Sequence, residues 1–554
     1  MESVTHTGIS SALLEEATID RLLFRACQHY GQHTAFRCLD HSLTYAEVDA
    51  LALRWASWLQ SMGITPGTRV ALMLPNLPQY PVALYGALRA GAVVVNCNPL
   101  YTADELQNQL RDAEVEFLLV LENFAHQVHP MHVPSLRHIV VTQVGDLMGW
   151  RGPWLNLVLR HIKRAIPPWD LPGAWRFTEV MDRGEHLPFT CPSLQPDNLA
   201  LLQYTGGTTG RAKGAMLTHG NIMANLRQVT RWTENRFAPG EETIVTALPL
   251  YHIFALTANG FLFWSLGATN LLIPNPRDVS GLVRTLEKHR FTAFTGVNTL
   301  FAALLAQPRF ARLDFSALKV TLGGGMAIQK TIAERWHSLT GCPINQAYGL
   351  SETSPGVALH PINAGNYDGT VGLPLADTEV ALRNDAGEDT PAGQPGEICI
   401  RGPQVMQGYW HQPEETEQTF WSDGFLRTGD MGQWMPNGHL KLLERKKDMI
   451  KVSGFNVYPS EIEQVLSHHP GIAEVAAIGI PDAHSGEAIQ VFVVRRDPDL
   501  DENTLRSYCR EHLTGYKQPR HVVFRPSLPH SPIGKILHRA LRDEVLDKPN
   551  PVSP

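Results

Sequence analysis

The chain has 554 residues, 43% of them hydrophobic and 18% charged, which is enough for a large core and too many for one domain. Its 45 Gly and 39 Pro are ordinary usage, so a stapled miniprotein, a collagen-like chain and a disordered tail are excluded. With 54 acidic against 47 basic residues, a formal charge of −7, no global positive field exists to hold nucleic acid.

The first twenty residues carry Glu15, Glu16 and Asp20 and lack a basic start followed by an apolar run, so no secretory signal is expected. Seven scattered cysteines without a CxxC pair fit a reduced intracellular chain, and the cytoplasm is the expected compartment. Helical patterns at 45–62 and 79–90 alternate with β-type runs at 69–74, 93–96, 117–121, 138–142, 293–295 and 319–322. That alternation predicts an α/β fold, with parallel sheets flanked by helices. His126, His129 and His132 sit at a metal-like spacing, but Pro130 interrupts the helix that would align them and no Cys or carboxylate completes a zinc set.

Residues 147–175 hold four of the twelve Trp and the bases Arg160, Lys163 and Arg164. On a helix beginning near Trp154, residues Leu155, Val158, Leu159 and Ile162 share one side and the bases lie toward the other. This fits either a surface helix packed on its own domain or a segment lying on a membrane surface. Between Thr243 and Pro276 there is no charged residue, a length that would suffice for a membrane span. Pro249, His252, Asn259, Gly260, Gly267 and Asn270 interrupt it, so a buried α/β segment ending in a strand at 269–274 is expected instead.

At 201–214 an apolar strand runs into Thr205-Gly206-Gly207-Thr208-Thr209-Gly210, followed by Lys213 and Gly214. The glycines let backbone N–H groups converge on an anion, the threonines offer hydroxyls and Lys213 supplies charge, so phosphate is the natural guest. Lys213 is placed differently from the lysine of GxxxxGK[ST], which excludes the ordinary P-loop mechanism. Around 374–408 closely spaced strands suggest a β-rich subdomain. The charge run at 444–448 separates it from a compact βαβ-like C-terminal pattern.

The loop YTGGTTGRAKG resembles the phosphate loop of the adenylate-forming superfamily, which includes acyl-CoA synthetases, luciferase and peptide-synthetase adenylation domains. Further matches follow in order: Gln346–Thr353 (QAYGLSET), Arg427-Thr-Gly-Asp430, Glu444-Arg445, Lys447–Glu461 and Ser531-Pro-Ile-Gly-Lys535. The resemblance covers essentially the whole chain and is most specific to bacterial long-chain fatty acyl-CoA ligases. It implies a large N-terminal domain (1–444, its β-rich part about 374–444), a hinge at 445–450 with Lys447 at its pivot, and a small α+β lid (451–554).

The resemblance also implies roles for individual residues. Thr205 and the following loop, with Lys213, would hold ATP phosphates. Tyr348, Gly349 and the turn Gly323-Gly324-Gly325 would sandwich adenine, which an aromatic face and bare backbone suit. Glu352 would hold Mg²⁺, with Thr353 beside it; a single carboxylate suffices because phosphates and waters complete that ion's shell. Asp430 would accept the ribose hydroxyls, Arg445 would contact ribose or phosphate, and Lys535 would stabilise charge on the α-phosphate. Ser453, Gly454 and Phe455 would line the coenzyme A path. His252 would stand beside the substrate carboxylate.

The implied activity is ligation of a fatty acid to coenzyme A, with ATP cleaved to AMP and pyrophosphate. An apolar wall from Phe254, Leu256, Phe261, Phe263, Trp264 and residues 296–301 would suit an alkyl chain or be plain core. An aromatic-acid ligase and a non-catalytic acyl- or nucleotide-binding relative are the alternatives. Peripheral contact with the inner face of the cytoplasmic membrane through 147–175 is a further expectation, and a homodimer is the assembly expected, although no residue argues for it.

Overall fold

A computed structural model describes residues 13–128, 131–205, 212–233, 236–362, 365, 367–453, 455–482, 485–531 and 536–546. Of the expected site residues, Gly206, Gly207, Thr208, Thr209, Gly210, Gly454 and Lys535 lie outside them, as does His129.

The described residues form four sheets. One has seven strands, ordered Trp175–Arg176, His138–Thr142, Phe117–Leu121, Arg69–Met73, Val93–Asn96, Leu199–Thr205 and Lys213–Thr218. Its neighbours run parallel except the last pair, an antiparallel hairpin in which Thr205 pairs with Lys213. A second, nine-stranded sheet runs Leu373–Pro374, Gly356–Leu359, Ile344–Gly349, Val320–Gly323, Ala293–Gly296, Thr243–Thr246, Thr269–Leu272, Thr34–Cys38 and His41–Thr44. Its centre is parallel and its edges antiparallel. The central strands are short and buried on both faces, which is why they read in the sequence as continuous apolar runs.

Helix Tyr45–Ser61 illustrates the packing. Thr44 and Glu47 form a capping box, with Thr44 N–H donating to Glu47 Oε2 at 2.7 Å. Trp55 and Trp58 stack at 5.4 Å on its inner face, which lies against helix Gln79–Arg89. Among the described residues no helix is long and apolar enough to cross a membrane. The uncharged stretch breaks into strand Thr243–Thr246, short helical turns over 253–265 and strand Thr269–Leu272.

A four-stranded antiparallel sheet (Glu379–Arg383, Gly396–Arg401, Leu426–Trp434, Leu440–Arg445) follows. The expected β-rich start at 374 is corrected here: Leu373–Pro374 pairs with Gly356–Leu359 and so edges the large sheet. Where Leu426–Trp434 meets Leu440–Arg445, Gly432 opposes Leu442 while Met431 opposes Glu444, so Leu443 is an extra residue, a β-bulge. A five-stranded sheet from Ile450–Val452 to His521–Arg525, with helices Pro459–Ser467, Glu502–His512 and His538–Leu546, completes the described chain.

The 147–175 segment differs from the expected helix. It begins at Gly152, and from Val158 to Ile162 the backbone winds as a π-helix, wider than an α-helix. The extra residue per turn rotates Ile162 out of phase with Leu155, Val158 and Leu159, which are half-buried, and leaves it 68% exposed. Arg160 turns inward to an ion pair with the buried Glu122, so it is not one of the outward bases.

Candidate active site

One cavity of about 1070 Å³ opens where the two large sheets, the β-rich sheet and the C-terminal segment meet. Its wall includes Thr205 and Lys213 from the hairpin, Gly324, Tyr348, Gly349 and Glu352 from the nine-stranded sheet and its following turn, and Arg445. Ser531 and Leu537, which flank 532–535, line it as well.

The Tyr348 hydroxyl donates to Asp430 Oδ2 at 2.8 Å, and Arg445 Nε lies 2.7 Å from Asp430 Oδ1. Burial, together with the Asp430 charge, pushes the Tyr348 phenol well above its usual range, so it stays protonated and acts as the donor. Asp430 and Arg445 are direct cross-strand partners, placed opposite one another by the bulge at Leu443. An aromatic ring, a carboxylate and a guanidinium held within one hydrogen-bonded unit suit a nucleoside with vicinal hydroxyls.

Close approach requires glycine at 349 and leaves little room at 324. A Cβ on Gly349 would lie 1.9 Å from the Pro355 carbonyl oxygen. One on Gly324 would lie 3.1 Å from the Phe254 ring and 3.3 Å from the Ala347 carbonyl. Thr353 is buried, with its hydroxyl 2.5 Å from the Pro355 carbonyl and 3.1 Å from that of Leu350. It therefore secures the turn that presents Glu352. Gly323 is likewise packed, against Ile328 and Ile344.

Glu352 is only half-buried, and its Oε1 accepts from the Tyr409 hydroxyl at 2.8 Å. Tyr409 was not anticipated from the sequence. It arrives because segment 406–410 lies beside the hairpin, with Met406 N–H donating to the Glu352 carbonyl and Trp410 N–H to that of Gly214. Lys213, almost fully buried, sits 5.2 Å from the centre of the Tyr409 ring and is ion-paired with Glu415 of helix Pro413–Thr419. The only local sign of this group was an aromatic pair, Tyr409-Trp410, after a glycine. Thr205, Lys213, Glu352, Tyr409 and Glu415 thus ring one part of the cavity, an arrangement of one cation and two carboxylates that fits phosphates with Mg²⁺.

His252 borders the cavity and caps a short helical turn, its Nδ1 accepting from Phe254 N–H at 3.3 Å. Burial lowers its pKa to about 4, so the imidazole is neutral near pH 7. Beyond it Val229, Phe254, Ala258, Leu322 and Leu359 give the cavity an apolar extension. Of the proposed wall, only Phe254 lines it. Leu256 and Phe261 are core, Phe263 packs on Phe237, Trp264 on Phe36 and Tyr45, and Phe301 on Phe294 and Trp336.

Lys447 stands at the end of the β-rich sheet, where burial holds its ammonium below the usual lysine range against the pull of Asp448. Nearby, the half-buried Glu444 accepts from Ser460 N–H at 3.0 Å, and Arg542 of the last helix pairs with Asp448 at 3.0 Å. Ser453 and Phe455 lie away from this cavity, and the Phe455 ring stacks on Tyr516 at 4.6 Å. Ser453 borders a second cavity of about 600 Å³ with Tyr516, Arg506 and Arg520.

Known proteins match this architecture closely. Residues 23–410 match the family described as AMP-binding enzyme, and 461–535 match the AMP-binding enzyme C-terminal domain. The chain is 49% identical over 522 residues to a long-chain-fatty-acid–CoA ligase of Escherichia coli O6:H1, covering 94% of this chain and 93% of that one. It is 45% identical over 530 residues to the Haemophilus influenzae long-chain-fatty-acid–CoA ligase, covering 95% and 94%. Among solved structures, the anthranilate CoA ligase AuaEII in complex with anthranoyl-AMP superposes with a TM-score of 0.83 at 25% identity, over 97% of this chain and 98% of that one. With an AMP-binding match over more than half its length and such relatives along nearly all of it, the chain belongs to the AMP-binding, adenylate-forming enzyme family.

Proposed function

We propose that the protein is an AMP-forming ligase that joins long-chain fatty acids to coenzyme A. The observation that carries this reading is the cavity in which the Tyr348–Asp430–Arg445 unit, the Lys213–Glu352 group and an apolar extension meet. In the first step a fatty-acid carboxylate oxygen attacks the α-phosphorus of ATP, and the bond to pyrophosphate breaks. In the second the coenzyme A thiolate attacks the acyl carbonyl and AMP leaves. Such chemistry needs positioned reactants and charge stabilisation rather than a protein nucleophile.

The residues divide the work. Asp430 and Arg445 hold the ribose, while Gly324, Gly349 and the Tyr348 ring leave a slot for adenine. Lys213 exchanges Glu415 for phosphate, Thr205 and the Gly/Thr sequence after it contact that phosphate, and Lys535 stabilises charge on the α-phosphate. Glu352 would hold Mg²⁺, which when bound neutralises phosphate charge; the Tyr409 hydroxyl fixes the orientation of that carboxylate. The neutral His252 presents a ring that does not compete ionically for the fatty acid. Residues 451–554 turn about Lys447 between the steps, exchanging the Lys535 segment for Ser453, Gly454 and Phe455, which guide coenzyme A.

We place the enzyme in the cytoplasm, against the inner membrane face. Trp150, Trp154, Leu157 and Ile162 are exposed together near Arg151, Lys163 and Arg164, a pairing of apolar and basic side chains suited to an anionic interface.

The test is a product assay with MgATP, coenzyme A and acids from short to long chain plus one cinnamate-type acid. AMP and thioester yields peaking with long alkyl chains are expected. Turnover of the aromatic acid alone would replace this reading with an aromatic-acid ligase, and absence of AMP would replace it with a non-catalytic binder.

A further inference from the structure

Away from the cavity, three potential metal ligands converge on the opposite end of the strand that carries Tyr348. His360 follows strand Gly356–Leu359, Asp368 lies in the turn before Leu373–Pro374, and His439 immediately precedes Leu440–Arg445. One ligand atom from each lies within 4.8 Å of the others. His360 Nε2 is 3.3 Å from Asp368 Oδ1, and His439 Nδ1 is 3.0 Å from Asp368 Oδ2.

Backbone hydrogen bonds fix this convergence. His360 N–H donates to the Gln346 carbonyl at 2.8 Å, Val371 N–H to Leu440 at 2.8 Å, and Leu440 N–H to Gly372 at 2.7 Å. Thr370 N–H donates to Asp368 Oδ1 at 2.8 Å, which sets the carboxylate. His360 is buried and His439 half-buried, while Asp368 is exposed. The three side chains are therefore held by the sheet before any ion arrives.

The spacing suits a small tetrahedral ion. With bonds of about 2.0–2.1 Å, neighbouring ligand atoms of a zinc site are about 3.3 Å apart. The nitrogens stand at about that distance from different oxygens of Asp368, and one ligand atom of each residue lies within 4.8 Å of the others, so side-chain rotation must bring them together on the ion. Two imidazoles and one carboxylate favour borderline transition metals over Mg²⁺ or Ca²⁺. The Thr370 hydroxyl, 3.1 Å from His439 Nδ1, donates to Asp368 Oδ1 at 2.7 Å and so braces the carboxylate between the imidazoles.

We infer that His360, Asp368 and His439 form a binding site for Zn²⁺ or a similar borderline divalent cation, distinct from the Mg²⁺ that accompanies ATP. On binding, the ring nitrogens facing Asp368 give up any proton they carry and donate lone pairs to the metal. Strand geometry puts His439 about 20 Å from Arg445 along their shared strand, so the ion acts by cross-linking three chain segments and takes no part in the ligation.

The experiment uses the full chain, stripped with a chelator and supplied with Zn²⁺ alone in competition with a chromophoric chelator. Wild type, Asp368→Asn and His439→Leu are compared, with MgATP-dependent ligase turnover in zinc-free buffer reporting that each variant folds. The expected result is one tight equivalent of Zn²⁺ in wild type, weakened at least roughly tenfold in both variants. Zn²⁺ should also raise the unfolding temperature of wild type alone. Co²⁺ bound to wild type should give the intense visible absorption of a four-coordinate ion, a readout that needs no variant. Equal Zn²⁺ binding by all three proteins, or a weak six-coordinate Co²⁺ spectrum in wild type, would overturn the site and leave a hydrogen-bonded clamp.

Discussion

Replacing Tyr409 with Phe removes one hydroxyl and leaves the ring that faces Lys213, so the change isolates the 2.8 Å hydrogen bond to Glu352. Burial and the charge of Glu352 both push the Tyr409 phenol above its usual range, so it is a neutral donor across the working pH range. A hydrogen bond to a charged acceptor contributes about 1.5–3 kcal/mol, and the half-exposed Glu352 places this one near the lower end. About 1.5 kcal/mol corresponds to roughly a tenfold fall in kcat/KM. The assay is fatty-acid-dependent AMP release as a function of Mg²⁺. If the hydroxyl orients the carboxylate for the ion, the Phe variant should need more Mg²⁺ for half-maximal rate, while its KM for coenzyme A stays unchanged. In a double-mutant cycle, Tyr409→Phe should cost little more once Glu352→Gln is present. A Phe variant with wild-type kcat/KM at every Mg²⁺ concentration would refute the reasoning, and so would full additivity with Glu352→Gln.

Three other outcomes are expected. Gly349→Ala should destabilise the protein by about 2–3 kcal/mol, because its Cβ meets a backbone carbonyl that cannot move aside cheaply; an unchanged thermal midpoint would contradict this. His538 pairs with Glu463 at 2.6 Å; burial lowers its pKa, but the Glu463 charge and hydrogen bond prevail and raise it from 6.5 to about 9. The stabilisation from that pair is fully present below about pH 6.5 and is lost as pH rises through about 9, so His538→Gln should flatten the fall in unfolding temperature between pH 7 and 10. Lys163→Glu with Arg164→Glu should weaken sedimentation with anionic vesicles by about 2 kcal/mol, roughly thirtyfold, and unchanged partition would remove this face as a membrane contact.

Much of this was legible in the residues because the relevant signals are local. The runs at 93–96, 117–121 and 138–142 became strands with those bounds, since a short apolar segment between turn residues leaves few other ways to bury itself. Lys213 stood out because it follows a Gly/Thr run suited to phosphate, and Asp430 and Arg445 because the short motifs that hold them resemble those of the family. Tyr409, Glu415 and Val229 did not, because what brings them to the cavity is pairing between segments far apart in sequence, such as Ala215 with Tyr409. Ile162 was assigned the wrong face for a different reason: a regular helical period cannot foresee a π turn. The His360–Asp368–His439 cluster was invisible for the same reason as Tyr409, its members being joined only by the sheet edge.

The bulge at Leu443 constrains how this gene can change length. Were Leu443 paired instead of bulged, the ladder would run from Gly432–Leu442 to Met431–Leu443, and Asp430 would face Glu444 in place of Arg445. An attractive pair would become two opposed carboxylates, and every later side chain would switch faces. A codon gained in the surface turn 435–439 should therefore be tolerated and one gained between 440 and 445 purged unless a second bulge absorbs it, although the added residue itself touches no substrate.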